Sequence, residues 1–251
     1  MPIYRLSQEV FFPEPDDAEK SGLLAVGGDL RVERLLLAYR MGIFPWYGPG
    51  QPILWWSPDP RWILEPEELH ISRSLQQVLK KKIFQVTFDQ AFGQVIHACA
   101  VVGRKGQRGT WITAEMENAY IRLHEMGFAH SVESWFQGKL SGGVYGVSLG
   151  KCFFGESMFF YETNASKVAL VTLVWLLRQW GFQLIDAQVT TPHLVSMGAK
   201  GVPRSLFLER LEKALAYPTL RGSWNGAGAR SSDTVVATSI CQVNSKVKMS
   251  G

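Results

Sequence analysis

Apolar positions recur at helical spacing across residues 31–41, which predicts a helix there, with Asp29 placed to cap its start and Gly42 to stop it. Residues 85–89 read as a strand and 90–101 as a helix. Residues 113–126 read as a second helix, carrying Met116, Tyr120 and Leu123 on one stripe. Three strands are predicted next, over 129–136, 140–149 and 151–160. The connections Gln137-Gly138-Lys139 and Leu149-Gly150-Lys151 are short and glycine-centred, so the three should form an antiparallel meander. Residues 165–180 are hydrophobic nearly all round and predict a helix buried against the sheet. A strand over 182–188 and two short helices, near 192–197 and 205–216, complete the pattern.

This grammar divides the chain. Residues 1–62 are rich in Pro, Trp and Gly around one helix and read as a small N-terminal domain whose irregular backbone is pinned by aromatic side chains. Residues 63–217 alternate strands and helices, the signature of an α/β layer with a mixed sheet. Residues 218–251 are rich in Gly, Ser and Ala and read as a mobile tail. The apolar patch Val235-Val236-Ala237 with Ile240 is the one segment of that tail able to add a strand.

Within the predicted strands two carboxylates stand among apolar neighbours: Glu156 in Phe153-Phe154-Gly155-Glu156-Ser157-Met158-Phe159, and Asp186 in Leu184-Ile185-Asp186-Ala187-Gln188. A buried carboxylate costs folding energy unless it is paired, hydrogen-bonded or lining a cleft. Each lies near a strand-to-helix transition, which points to one site at the mouth of a sheet. Alternation along a strand puts Asp186 and Gln188 on one face, toward the cleft, with Ala187 turned away.

Composition narrows the choices. Cys99, Cys152 and Cys241 are widely spaced, as expected for free thiols in a reducing compartment, and the start of the chain carries no secretion signal. We expect a cytoplasmic protein that does not enter a membrane. His124 and His130 are six apart and do not share a helix face, so no metal site and no cofactor are expected. A net charge of +4, clustered at Lys80-Lys81-Lys82 and at Arg104-Lys105 with Arg108, permits an anionic partner such as a nucleic-acid backbone. Solvated helix ends and turns would carry the same clusters.

A meander, a buried helix and a further strand is the element order of GNAT-superfamily acetyltransferases. The Gln/Arg-x-x-Gly-x-Gly/Ala turn that cradles CoA pyrophosphate in that group occurs nowhere in the chain. Before the residue 165 helix stands Tyr161-Glu162-Thr163-Asn164, whose carboxylate repels a pyrophosphate. Residues 22–30, 42–46, 55–61, His70-Ile71-Ser72-Arg73-Ser74, Thr110-Trp111-Ile112-Thr113, 155–159, Ala165-Ser166-Lys167 and 184–188 together resemble the leucyl/phenylalanyl-tRNA protein transferase family. The resemblance runs from about residue 4 to about residue 212.

It implies a GNAT-like larger domain and transfer of Leu or Phe, less well Met, from aminoacyl-tRNA to the N-terminal Arg or Lys of a protein, creating a bacterial degradation signal. A monomer is expected. The resemblance points to Asp186 and Gln188 for orienting the acceptor amine, directly or through Gln188, and to Glu156 with Asp186 for pairing the cationic acceptor. It places Trp111, Val144, Phe153, Met158, Leu173 and Ile185 around the donor side chain. Val144 and Leu173 stand where family members often carry Met and Phe, which leaves the Phe-to-Leu preference open. Trp55 and Trp56 are candidates for stacking on the terminal adenine or for anchoring the N-terminal domain. Arg73, Lys80, Lys81, Lys82, Arg104 and Lys105 are candidates for phosphate contacts. Two rivals remain at this point, an acetyl-CoA-dependent N-acetyltransferase and a non-catalytic RNA-binding module.

Overall fold

A computed structural model of the chain describes residues 3–102 and 111–226. In chain order its elements are β1 (Tyr4–Leu6), β2 (Leu23–Gly27), α1 (Val32–Arg40), β3 (Phe44–Pro45), β4 (Leu54–Trp56), β5 (Arg61–Leu64), α2 (Arg73–Lys81), β6 (Gln85–Phe88), α3 (Phe92–Val101), α4 (Ala114–Glu125), β7 (Ala129–Phe136), β8 (Lys139–Leu149), β9 (Cys152–Phe160), α5 (Ala165–Gln179), β10 (Leu184–Gln188), α6 (Pro192–Ser196), β11 (Lys200–Val202) and α7 (Arg204–Leu215). A small sheet has the order β1-β2-β4-β3, and a seven-stranded mixed sheet has the order β11-β5-β10-β9-β8-β7-β6. The expected meander is present: β7, β8 and β9 pair antiparallel, and β10 returns parallel to β9 after α5. This is a mixed α/β fold with the expected order of a meander, a buried helix and a further strand.

Apolar residues fill both sides of the large sheet. One cluster joins α1, α3, α4 and α7 to the sheet and to Leu24, Ala25 and Trp55 of the small sheet; the other lies under α5, with α2 packed beside it. α5 is buried almost throughout, from Ala165 to Leu177, as its all-round hydrophobicity predicts.

The expected boundary at residue 62 lies within β5, which pairs with β10 in the large sheet, and the first cluster runs through both sheets, so the two parts share a core. Two expectations change. The tail expected to be mobile from residue 218 is docked as far as the description extends. The Thr219 hydroxyl accepts from the Gly150 amide at 2.9 Å, Arg221 lies over Phe128, and Trp224 is buried. The patch at Val235, Val236, Ala237 and Ile240 lies outside the described residues. Finally, the helix expected from residue 31 is capped differently: Arg31 holds the capping position, while Asp29 accepts from its amide at 3.0 Å.

Candidate active site

β9 and β10 are paired side by side from Leu184 with Cys152 to Asp186 with Phe154, and then they part. Beyond that point β9 continues to Phe160 along β8 alone. A wedge therefore opens at the C-terminal ends of two parallel strands. Ligand sites in α/β sheets collect at such places.

Both strands are irregular at the wedge. Tyr145 pairs with Ser157 and Gly146 with Gly155, so Glu156 is an extra residue in β9. Asp186 pairs with Ile63 and Gln188 with Trp62, so Ala187 is an extra residue in β10, and Gln188 takes φ +61°. Such bulges re-aim side chains. Here they bring the Glu156 carboxylate and the Gln188 amide together across the wedge, Nε2 donating to Oε1 at 2.8 Å.

Two tyrosines complete the surroundings of Glu156. The Tyr39 hydroxyl, from α1, donates to Oε1 at 2.7 Å, and the Tyr120 hydroxyl, from α4, donates to Oε2 at 3.0 Å. The two hydroxyls also touch each other, so their two protons are shared among three contacts with one another and with the carboxylate. Both tyrosines came to the core as members of apolar helix faces, and both are fully buried. A carboxylate offers about four lone-pair sites. Three are taken, which leaves one on Oε2, and Glu156 is only half-buried. Burial raises its carboxyl to about 7, while the hydrogen bonds from Tyr39, Tyr120 and Gln188 hold it back from rising further. Burial, and then the Glu156 charge, push both phenols well above their ordinary value.

Asp186 is placed otherwise than expected. It has no exposed surface, and Arg61, equally buried, grips it by two bonds, Nε to Oδ1 at 2.8 Å and Nη2 to Oδ2 at 2.6 Å. Nη1 of Arg61 donates to the Gly42 carbonyl at 3.0 Å, and the guanidinium lies between the rings of Phe44 and Phe207. Gly42 takes φ +71°, and a Cβ there would lie 2.8 Å from Phe207, so glycine is required at this end of α1. Oδ1 of Asp186 also accepts from the backbone amide of Gln188 at 2.9 Å. Asp186 thus faces Arg61 rather than the cleft, because the ion pair satisfies a carboxylate that the bulge would otherwise strand in the core. It acts on the site by fixing the backbone of Gln188.

Five of the six donor-pocket candidates gather. Val144, Phe153, Leu173 and Ile185 belong to the cluster under α5, and half-buried Met158 packs against it. Trp111 packs against the other cluster.

The nucleic-acid candidates separate. Trp55 is fully buried with its Nε1 donating to the Gly27 carbonyl at 2.9 Å, and Trp56 donates to the Trp46 carbonyl at 2.7 Å. Buried Trp55 has no face free to stack on a base and edges against Phe12 as an anchor of the small sheet, whereas Trp56, edging against Trp46, is half-buried and keeps part of its surface open. Arg73, Lys80, Lys81 and Lys82 are exposed at the two ends of α2. Arg104 and Lys105 lie outside the described residues.

The model of the leucyl/phenylalanyl-tRNA protein transferase family matches residues 63–212, and the model of that family's N-terminal domain matches residues 28–59. The chain belongs to the leucyl/phenylalanyl-tRNA protein transferase family. It is 58% identical over 225 residues to the leucyl/phenylalanyl-tRNA–protein transferase of Desulfatibacillum aliphaticivorans, covering 90% of this chain and 97% of that one. It is 57% identical over 231 residues to the protein of the same name from Myxococcus xanthus, covering 91% and 99%. Among solved structures, an aminoglycoside acetyltransferase from an uncultured soil metagenomic sample aligns at 12% identity with a TM-score of 0.35, over 52% of this chain and 88% of that one. L-PGS from Bacillus licheniformis aligns at 12% with a TM-score of 0.37, over 80% and 66%. Membership in the transferase family makes the chain an enzyme. Arg61, Tyr39 and Tyr120 were not singled out for its site from the residues alone, although Arg61 ends the Trp-Ser-Pro-Asp-Pro-Arg motif and the tyrosines are the polar-tipped members of helix faces.

Proposed function

We propose that the protein moves Leu or Phe, and less well Met, from aminoacyl-tRNA to the α-amine of a protein beginning with Arg or Lys, acting as a monomer, and that the wedge between β9 and β10 is where the amine meets the ester. The observation that carries this reading is Glu156: half-buried, titrating near neutral pH, tied to Gln188, and with one lone pair of Oε2 unoccupied.

The donor is an activated ester, so the new amide forms without ATP. The amine attacks the ester carbonyl, the N–C bond forms, and the C–O bond to the ribose breaks. An α-amine has an ordinary pKa of ~7.7–8.0, within about one unit of Glu156, so proton transfer between them is nearly balanced. Glu156 takes the proton of the attacking amine and returns it to the leaving ribose oxygen. The tyrosine pair suits this task. When Glu156 is ionised, two hydroxyl protons serve three contacts among Tyr39, Tyr120 and the carboxylate, and a third proton fills the ring. Asp186 contributes no free charge, since Arg61 neutralises it, so preference for a cationic first residue rests on Glu156. Gln188, held by Asp186, positions the amine and supplies a donor for the developing oxyanion. Val144, Phe153, Met158, Leu173 and Ile185 receive the donor side chain, and shape excludes the β-branched Val and Ile. Arg73, Lys80, Lys81 and Lys82, with Arg104 and Lys105, meet acceptor-stem phosphates.

The test is a transfer assay with radiolabelled Leu-, Phe-, Met-, Val- and Ile-tRNA and a protein beginning with Arg, without ATP. Label should enter the protein from Leu, Phe and Met. Equal incorporation from Val-tRNA, or acetylation from acetyl-CoA instead, would refute the reading.

A further inference from the structure

We propose that Trp224, in the segment after α7, is the floor of the donor side-chain pocket and sets how large a side chain it accepts. The inference rests on the pocket reading above and extends it to a residue outside the region matched by the family models.

The argument starts at Gly146. On β8 it pairs with His130 of β7, and a Cβ at Gly146 would lie 2.6 Å from the Phe153 ring, so that ring lies across the glycine in space a side chain would fill. One row further along the same strands, Val144 pairs with Val132 and Met158. Phe153 is therefore the layer directly beneath the Val144–Met158 row. The Trp224 indole stacks flat on His130, with centroids 3.7 Å apart and planes at 4°, and meets Phe153 at 6.1 Å. Trp180 and Phe182, at the end of α5 and just beyond it, close its other sides at 5.0 and 6.4 Å.

The stack is fastened from both ends. The Trp224 amide donates to Oδ2 of Asp89 at 2.7 Å, and His130 Nδ1 contacts the same oxygen at 2.9 Å. One carboxylate thus holds both rings face to face. A large, rigid indole buried against the back of Phe153 leaves that ring no room to withdraw. Pocket depth below Val144 and Met158 is then fixed by how firmly Trp224 is seated. A smaller residue at 224 would let Phe153 sink, deepening the pocket for bulky donors and loosening it around Leu.

Trp224→Leu and the milder Trp224→Phe test this, by kcat/KM for Phe-tRNA and Leu-tRNA measured side by side, with Phe153→Leu as the control for the pocket itself. The Phe-to-Leu ratio should rise about tenfold in Trp224→Leu, the scale on which a pocket reads one methylene, and less in Trp224→Phe. A stability defect alone would lower both donors together, so the ratio separates shape from folding. If Phe153→Leu shifts the ratio and neither Trp224 variant does, the floor is refuted while the pocket stands. If Phe153→Leu leaves the ratio unchanged, the pocket reading falls and the proposal with it. Should Trp224→Leu fail to fold, Trp224→Phe decides by the same ratio.

Discussion

Glu156 and Asp186 are both carboxylates on adjacent strands, yet their surroundings give them different work. Asp186 is matched by a buried guanidinium, so Asp186→Ala should strip Arg61 of its partner and cost about 3–5 kcal/mol of stability, read by denaturant unfolding. Gln188→Ala removes only an amide at the wedge; its unfolding midpoint should stay close to wild type while kcat falls. Equal unfolding midpoints for the two variants would show that the ion pair is not what holds this corner. For Glu156 the pH dependence has a definite sign. Its folded pKa, about 7, lies above the ordinary 4.5, so the folded state holds a proton that the unfolded chain has lost between those values. Stability from this group is complete below 4.5 and declines as pH rises to 7. Thermal melting of wild type should fall over that window relative to Glu156→Gln, which cannot titrate, and a parallel course for the two proteins would contradict the assignment.

At the scale of elements, the two bulges make the site, and their sequence marks are faint. Alternation predicted Asp186 and Gln188 pointing together into the cleft; one extra residue, Ala187, lets Asp186 sink to Arg61 while Gln188 reaches Glu156. Only Gly155, a glycine inside an apolar strand, hints at the partner bulge. The meander, α5 and β10 were legible because glycine turns and long apolar runs are local signals. β5 was not, since Arg61-Trp62-Ile63-Leu64 is four residues between Pro60 and Pro66, and its place in the large sheet depends on long-range pairing with β10 and β11. Burial of Trp55 was equally invisible, because an aromatic anchor and a stacking platform have the same composition. Gly146→Ala tests the close approach of β8 and β9: its Cβ would meet the Phe154 carbonyl oxygen at 2.1 Å, so a loss of about 1–3 kcal/mol or more is expected on urea unfolding. On α2, Lys80 and Lys81 occupy the last turn, where they also complement the helix dipole. If they and Lys82 meet phosphates, neutralising all three should flatten the salt dependence of aminoacyl-tRNA binding by about 0.9 per contacting lysine. An unchanged slope would leave them as a solvated helix end.

For the whole molecule, the small sheet and the segment after α7 both pack on the large sheet, and the proposed site draws on parts far apart in sequence: Tyr39 from α1, Tyr120 from α4, Glu156 and Gln188 from the sheet. Among the described residues no helix is long and apolar enough to cross a membrane. Ending the chain at residue 217 removes Trp224 and its stack, and should lower the melting temperature by about 10 °C relative to a chain ending at residue 226. Indistinguishable melting curves would show the segment to be peripheral. The most direct measurement of the central claim compares kcat/KM for Leu transfer to acceptor peptides beginning with Arg, with Gly and with acetylated Arg, in wild type and in Glu156→Gln. Wild type should favour Arg strongly over Gly and leave the acetylated peptide untouched, and the variant should lose most activity together with that preference; full activity on Arg in Glu156→Gln would contradict the account.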